Sequence, residues 1–161
     1  MSDSGSTARR AARLAAIQAL YQMELTGEDA GTVSEEFVAY RFGQEPETAA
    51  LGEPDAAFFD DIVRGVPLRQ AEIDEAITKC LSSDWRLSRV DSILRAILRA
   101  GAFELVARPD VPAKVIINEY IELSHAFFSA EEPSFVNAAL DKLAHRKRAA
   151  EFGEAVPDGE F

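Results

Sequence analysis

One cysteine and two histidines in 161 residues leave little material for metal or thiol chemistry. A structural zinc needs several Cys, His or carboxylate ligands at short spacing. Here His125 and His145 fall on different expected helices, and Cys80 is far from both in sequence. A lone cysteine forms no internal disulfide, which fits a reducing compartment and points to the cytoplasm. Cys80 sits in an apolar helical pattern ending at Leu81, so it reads as core and not as a nucleophile. No apolar run approaches the ~20 residues that span a bilayer. The opening MSDSGSTARRAAR is polar and then basic, without an apolar stretch before a cleavage site, so it does not read as a signal peptide. A glycine-rich phosphate loop, a GxSxG elbow and a dinucleotide fingerprint are all missing. Asp60–Asp61 and Glu131–Glu132 are adjacent in sequence, which turns one carboxylate of each pair to solvent. No active site, metal or cofactor is expected. Sustained period-two alternation is lacking too, so the chain reads as all-α.

What the chain has in excess is acid. Its net charge is −11, from 28 acidic and 17 basic side chains. That excess is localised. Residues 28–61 carry −9 and residues 149–161 carry −4, while residues 1–27 and 62–148 carry +1 each. Screening acts over roughly 8 Å at physiological salt, so a local basic patch can still bind an anion.

Along the chain, residues 1–7 read as a disordered tail, 8–148 as a helical domain with an acidic linker at about 43–54, and 149–161 as a disordered acidic tail. Thr7 can cap a helix running to Thr26 and ended by Gly27, with Leu14, Ile17, Leu20, Tyr21 and Leu25 apolar. A short helix is expected over Val33–Phe42. Asp55 caps the next, which carries Phe58, Phe59, Ile62, Val63 and Val66, and Pro67 kinks or restarts it before Ile73, Ile77 and Leu81. Ser83 and Asp84 are cap candidates for a segment starting near Trp85. There Val90, Leu94, Ile97, Leu98 and Gly101 share a face, and Asp91 and Arg95 can pair at i, i+4. After about Arg148 the chain should fray.

Val111 to Leu143 reads as a long amphipathic helix, an acidic turn and a second helix. Ile116, Ile117, Tyr120, Ile121, Leu123, Phe127 and Phe128 recur at helical spacing, and Val136, Ala139, Leu140 and Leu143 form a second stripe. Phe135 lies beside that stripe at the helix start. It is either ordinary core or a surface ring that can stack on a base. Arg9, Arg10 and Arg13 form the most basic cluster, with Arg9 and Arg13 one turn apart. Cations near a helix N-terminus oppose the macrodipole, which favours a binding role over a merely solvated turn. Lys142, Arg146, Lys147 and Arg148 either extend a basic patch or complement the dipole of the last helix.

The run INEYIELSHAFFSAEEPSFVNAALDKL resembles the C-terminal signature of the NusB family of bacterial transcription antitermination factors. ARRAARLAAIQALYQ (8–22), FFDDIVRGV (58–66) and DWRLSRVDSILRAILRAGAFELVARPDVPAKV (84–115) agree in the family's order, so the resemblance spans about Ala8 to Lys147. It implies two small packed helical bundles, about seven helices in all. It also implies a non-catalytic adaptor that binds single-stranded boxA RNA with the small-subunit ribosomal protein NusE. That pair then joins RNA polymerase and other Nus factors in transcribing rRNA operons. Arg9, Arg10 and Arg13 match the family's arginine-rich RNA-binding segment, although Ala11 stands where some members have another base. Tyr21 matches an aromatic associated with RNA contact, and Phe135 and Lys142 complete the expected RNA face. Asp91, Leu94 and Arg95 are the expected partner face. Many members carry an acid where this chain has Leu94, so a charged contact would become apolar if Leu94 is exposed, and mere repacking if it is buried. Two alternatives stand beside this reading. One is a NusB-like interaction module without antitermination activity. The other is an rRNA cytosine methyltransferase, since such enzymes carry a NusB-like domain, but the Rossmann-type catalytic domain and its GxGxxG are missing here.

Overall fold

The computed structural model describes residues 3–42, 52–82 and 86–154. Seven α-helices and no strands occur among them, as the all-α reading requires. They divide into two compact units, residues 1–68 and 69–161.

The first unit holds α1 (Asp3–Thr26), α2 (Ala30–Glu36) and α3 (Ala56–Leu68). Helix α1 starts earlier than Thr7, so residues 3–7 of the expected tail are helical. It stops at Gly27, whose φ of +77° is cheap only for glycine. Ala11, Ala12, Ala15, Ala16 and Ala19 are buried along α1, and side chains that small let α3 approach closely. Asp29 caps α2 by accepting from Thr32 N–H at 2.8 Å. The helix then widens into a π-turn over Phe37–Arg41, where the expected short helix was a regular one. On a regular helix Phe37 and Phe42 would diverge by about 140°. The π-turn, closed by Phe42 N–H on Phe37 O at 2.9 Å, lets both meet Phe59, with ring centroids 5.6 and 4.9 Å away. Asp55 caps α3 as expected, taking Phe58 N–H at 3.0 Å. Pro67 lies in the last turn of α3, and a fresh helix begins at Gln70.

The second unit holds α4 (Gln70–Cys80), α5 (Ser92–Ala107), α6 (Ala113–Ser124) and α7 (Glu132–Lys147), with 3₁₀ turns at Leu87–Arg89 and Ala149–Phe152. Ser83, Asp84 and Trp85 lie outside the described residues, as does 43–51 of the acidic linker; the cap of α5 is Asp91, which accepts from Ile93 and Leu94 N–H. Helix α5 is the core of this unit, with ten buried residues. Gly101 is needed there, since a Cβ would stand 2.8 Å from Leu140 Cδ1 and 3.4 Å from Tyr120 Cδ2. The hydroxyl of buried Tyr120 donates to buried Glu104 at 2.6 Å, so each satisfies the other.

The C-terminal side corrects an expectation. Residues 149–154 form a turn closed by Gly153 at φ +71°, and Arg148 points into the fold instead of fraying. Its guanidinium donates to the carbonyls of Leu105, Glu104, Arg108 and Val111 at 2.7–3.1 Å, which caps the C-terminal end of α5. Residues 155–161 of the expected tail lie outside the described residues.

Candidate nucleic-acid interface

In the first unit the N-terminal half of α1 brings Arg9 and Arg13 onto one ring. Their Cζ atoms lie 4.6 and 4.8 Å from the centroid of Phe58, near the start of α3. Sequence periodicity reads Phe58 only as core. Nothing in the chain alone pairs it with residues 45 and 49 positions away. The Arg9 side chain keeps 39% of its surface exposed, with Nε 4.0 Å from Asp55 Oδ2. Arg13 is 3% exposed, so it does not share a surface row with Arg9. Its position on α1 turns it toward α3, and the ring there accepts its flat cation. Arg10 is half-buried and in contact with its surroundings. Tyr21 follows buried Leu14 by seven residues and buried Ile17 by four, so it inherits their face and is half-buried.

In the second unit Phe135 is half-buried at the start of α7, beside the buried stripe Val136, Ala139, Leu140 and Leu143. Lys142 and Lys147 are exposed and Arg146 is half-buried. All three act on Cys80: burial pushes its thiol up, against the opposing pull of Arg146, Lys142 and Lys147. Arg148 is spent on carbonyls, so the second basic run is three residues, not four. His145 Nδ1–H donates to the Glu154 carboxylate at 2.7 Å, and the ring faces Asp141 at 3.5 Å and stacks on Phe152 at 4.0 Å. The Glu154 carboxylate in that hydrogen bond holds the imidazole above its ordinary range. Among the described residues no group of three His, Cys, Asp or Glu could hold a metal ion, and no helix is long and apolar enough to cross a membrane.

The expected partner face is only partly a face. Leu94 is 6% exposed and belongs to the core, as the third residue of α5, whose N–H donates to the Asp91 cap. Buried there, Leu94 offers no apolar contact to a partner. Asp91 is exposed. Arg95 reaches back to the carbonyls of Leu87 at 2.9 Å and Val90 at 2.6 Å, bracing the loop before α5. It also lines a cleft of about 560 Å³ with Asp74, Arg86 and Arg99. Arg99 is held there by Asp74 through two bonds of 2.9 Å.

Residues 10–145 match the NusB family model. The chain is 50% identical over 151 residues to the transcription antitermination protein NusB of Maricaulis maris, covering 94% of each. To the protein of that name from Caulobacter vibrioides it is 49% identical over 148 residues, covering 92% of this chain and 99% of the other. A solved structure of T. maritima NusB superposes with a TM-score of 0.73 at 28% identity, covering 90% of this chain and 96% of that one.

Proposed function

The chain belongs to the NusB family, and from that premise we propose that it acts as a transcription antitermination factor. In this reading it binds single-stranded boxA RNA as a heterodimer with the ribosomal protein NusE. The pair then joins the elongating RNA polymerase with other Nus factors, above all on rRNA operons. The chain is not an enzyme; it works by binding.

The observation that carries the RNA side lies in the N-terminal half of α1, where partly exposed Arg9 stands beside Arg10 with its guanidinium 4.6 Å from the centre of the Phe58 ring. A planar, permanently charged fork suits phosphate oxygens and base faces. Arg13 adds positive charge from beneath. Tyr21 supplies a partly open ring to the same unit, while Phe135 and Lys142 supply a ring and a cation in the other. On the partner side, Asp91 and the braced loop at Arg95 are the surface offered to NusE. A set of cations this thin, on a chain of net charge −11, supports weak binding by the protein alone. A basic partner adds charge and contact area, raising affinity through Coulomb attraction and counterion release.

Titration of boxA RNA with this protein alone and with the equimolar pair tests the reading. The pair should bind at least about tenfold tighter, or about 1.4 kcal/mol, with better discrimination against a scrambled RNA. Equal affinity in both titrations would remove the adaptor mechanism. No binding in either would leave an interaction module without an RNA role.

A further inference from the structure

We propose that Phe58 is a positioning residue for RNA contact, holding the guanidinium of Arg9 ready at the surface of the first unit. The inference rests on the reading that α1 meets RNA.

Two side-chain contacts meet Arg9, and a backbone bond ties the residue before it. Asp55 N–H donates to the carbonyl of Ala8, the residue before it, at 3.0 Å. One oxygen of the Asp55 carboxylate caps α3 through Phe58 N–H at 3.0 Å, and the other faces Arg9 Nε at 4.0 Å. The cap in turn fixes Phe58 near the start of α3, and its ring lies 4.6 Å beneath Arg9 Cζ. Arg13 approaches the same ring at 4.8 Å and is 3% exposed, so it fills the floor of the cradle. The cradle leaves Arg9 accessible and restrains its long side chain. An unrestrained arginine gives up much rotamer freedom when it grips a phosphate. A ring-held one has given it up already, so binding strengthens without any new contact to RNA. Phe58 is 2% exposed and touches no ligand itself; it acts through Arg9.

The test compares Phe58→Leu with Phe59→Leu. Phe59 is a buried ring of the same helix that packs on Phe37 and Phe42. Affinity for labelled single-stranded boxA RNA is measured below the melting range of every variant. Releasing the Arg9 side chain, which must then be ordered on binding, should make F58L bind about three- to tenfold more weakly, while F59L loses thermal midpoint and keeps its affinity. Arg9→Ala should cost less in the F58L background than in the wild type. Arg9→Lys leaves the core untouched and keeps the charge. It should lose affinity by a similar factor with the salt slope unchanged, which keeps the question answerable if F58L does not fold. Wild-type affinity in both F58L and R9K with a weak R9A overturns the positioning role and leaves the RNA reading intact. Equal weakening in F58L and F59L makes the effect one of stability and overturns it too. If R9A binds as tightly as wild type, it is the RNA reading of α1 that fails.

Discussion

Replacing Arg148 by methionine removes a guanidinium that donates to four main-chain carbonyls, those of Leu105, Glu104, Arg108 and Val111, and to the carboxylate of Glu151. Its side chain is only 8% exposed, so water replaces few of those bonds. Methionine fills the stem of the arginine and leaves the head space empty. Charge-assisted bonds contribute about 1.5–3 kcal/mol each in isolation. They do not add, because Glu104 O and Arg108 O also accept from backbone N–H groups at 2.9 and 3.0 Å. A net loss of about 3–4 kcal/mol follows, which lowers the thermal midpoint by about 10 °C for a chain of this size. BoxA affinity measured below the melting range should not change, because Arg148 faces carbonyls and not solvent. Arg148→Lys separates geometry from charge. An ammonium on a thin stem cannot reach carbonyls spread around a planar fork, so the lysine variant should remain about 2 kcal/mol short of wild type. The reasoning is refuted if Arg148→Met melts within about 2 °C of wild type. It is equally refuted if that variant folds normally and loses RNA affinity, since Arg148 would then be part of the basic face.

Two further outcomes are expected. Phe135→Ala should weaken boxA binding by about 1–3 kcal/mol, the usual loss per stacked base, with a thermal midpoint only slightly changed; a loss of several kcal/mol in folding stability by denaturant titration would make Phe135 core. His145, held above its ordinary range chiefly by the Glu154 hydrogen bond, stabilises the folded state fully below the ordinary histidine value, and that contribution fades as pH rises through the raised one. Wild type should therefore exceed Glu154→Gln in midpoint at pH ~5.5 and match it by pH ~9. A gap that widens toward alkaline pH would show that the imidazole does not act as the cation.

Periodicity made most helices legible because each buries one stripe. Gly27 and Asp55 announced their roles for the same local reason: a helix stop and a cap each demand a residue type. The π-turn was not legible, since an i→i+5 closure leaves no mark on a 3.6-residue pattern except that Phe37 and Phe42 both turn inward. The site was harder than the fold. Charge alone places an arginine at the surface, and it does so for Arg9, Arg13 and Arg148 alike. What separates them is a distant partner: a ring from α3 for the first two, and the carbonyls at the end of α5 for the third. Leu94 shows the same limit from the other side, an apolar residue whose side is decided by its position in α5.

These assignments change how a chain of net charge −11 can meet an anion. With Arg13 buried and Arg148 occupied, counting cations overstates the positive surface. The carboxylate of Asp55 stands within 4.0 Å of the best-placed arginine and subtracts further. Long-range attraction is therefore a poor source of affinity here. On the proposed reading, the ring-held guanidinium of Arg9 in the first unit and a partly open ring in each unit should lose less entropy on binding than mobile lysines would. They also discriminate by shape, which attraction to a phosphate backbone does not. On the proposed reading, a protein built this way should bind weakly alone and gain from a partner that brings positive charge. That makes the ratio of affinities with and without the partner a more informative quantity than either affinity by itself.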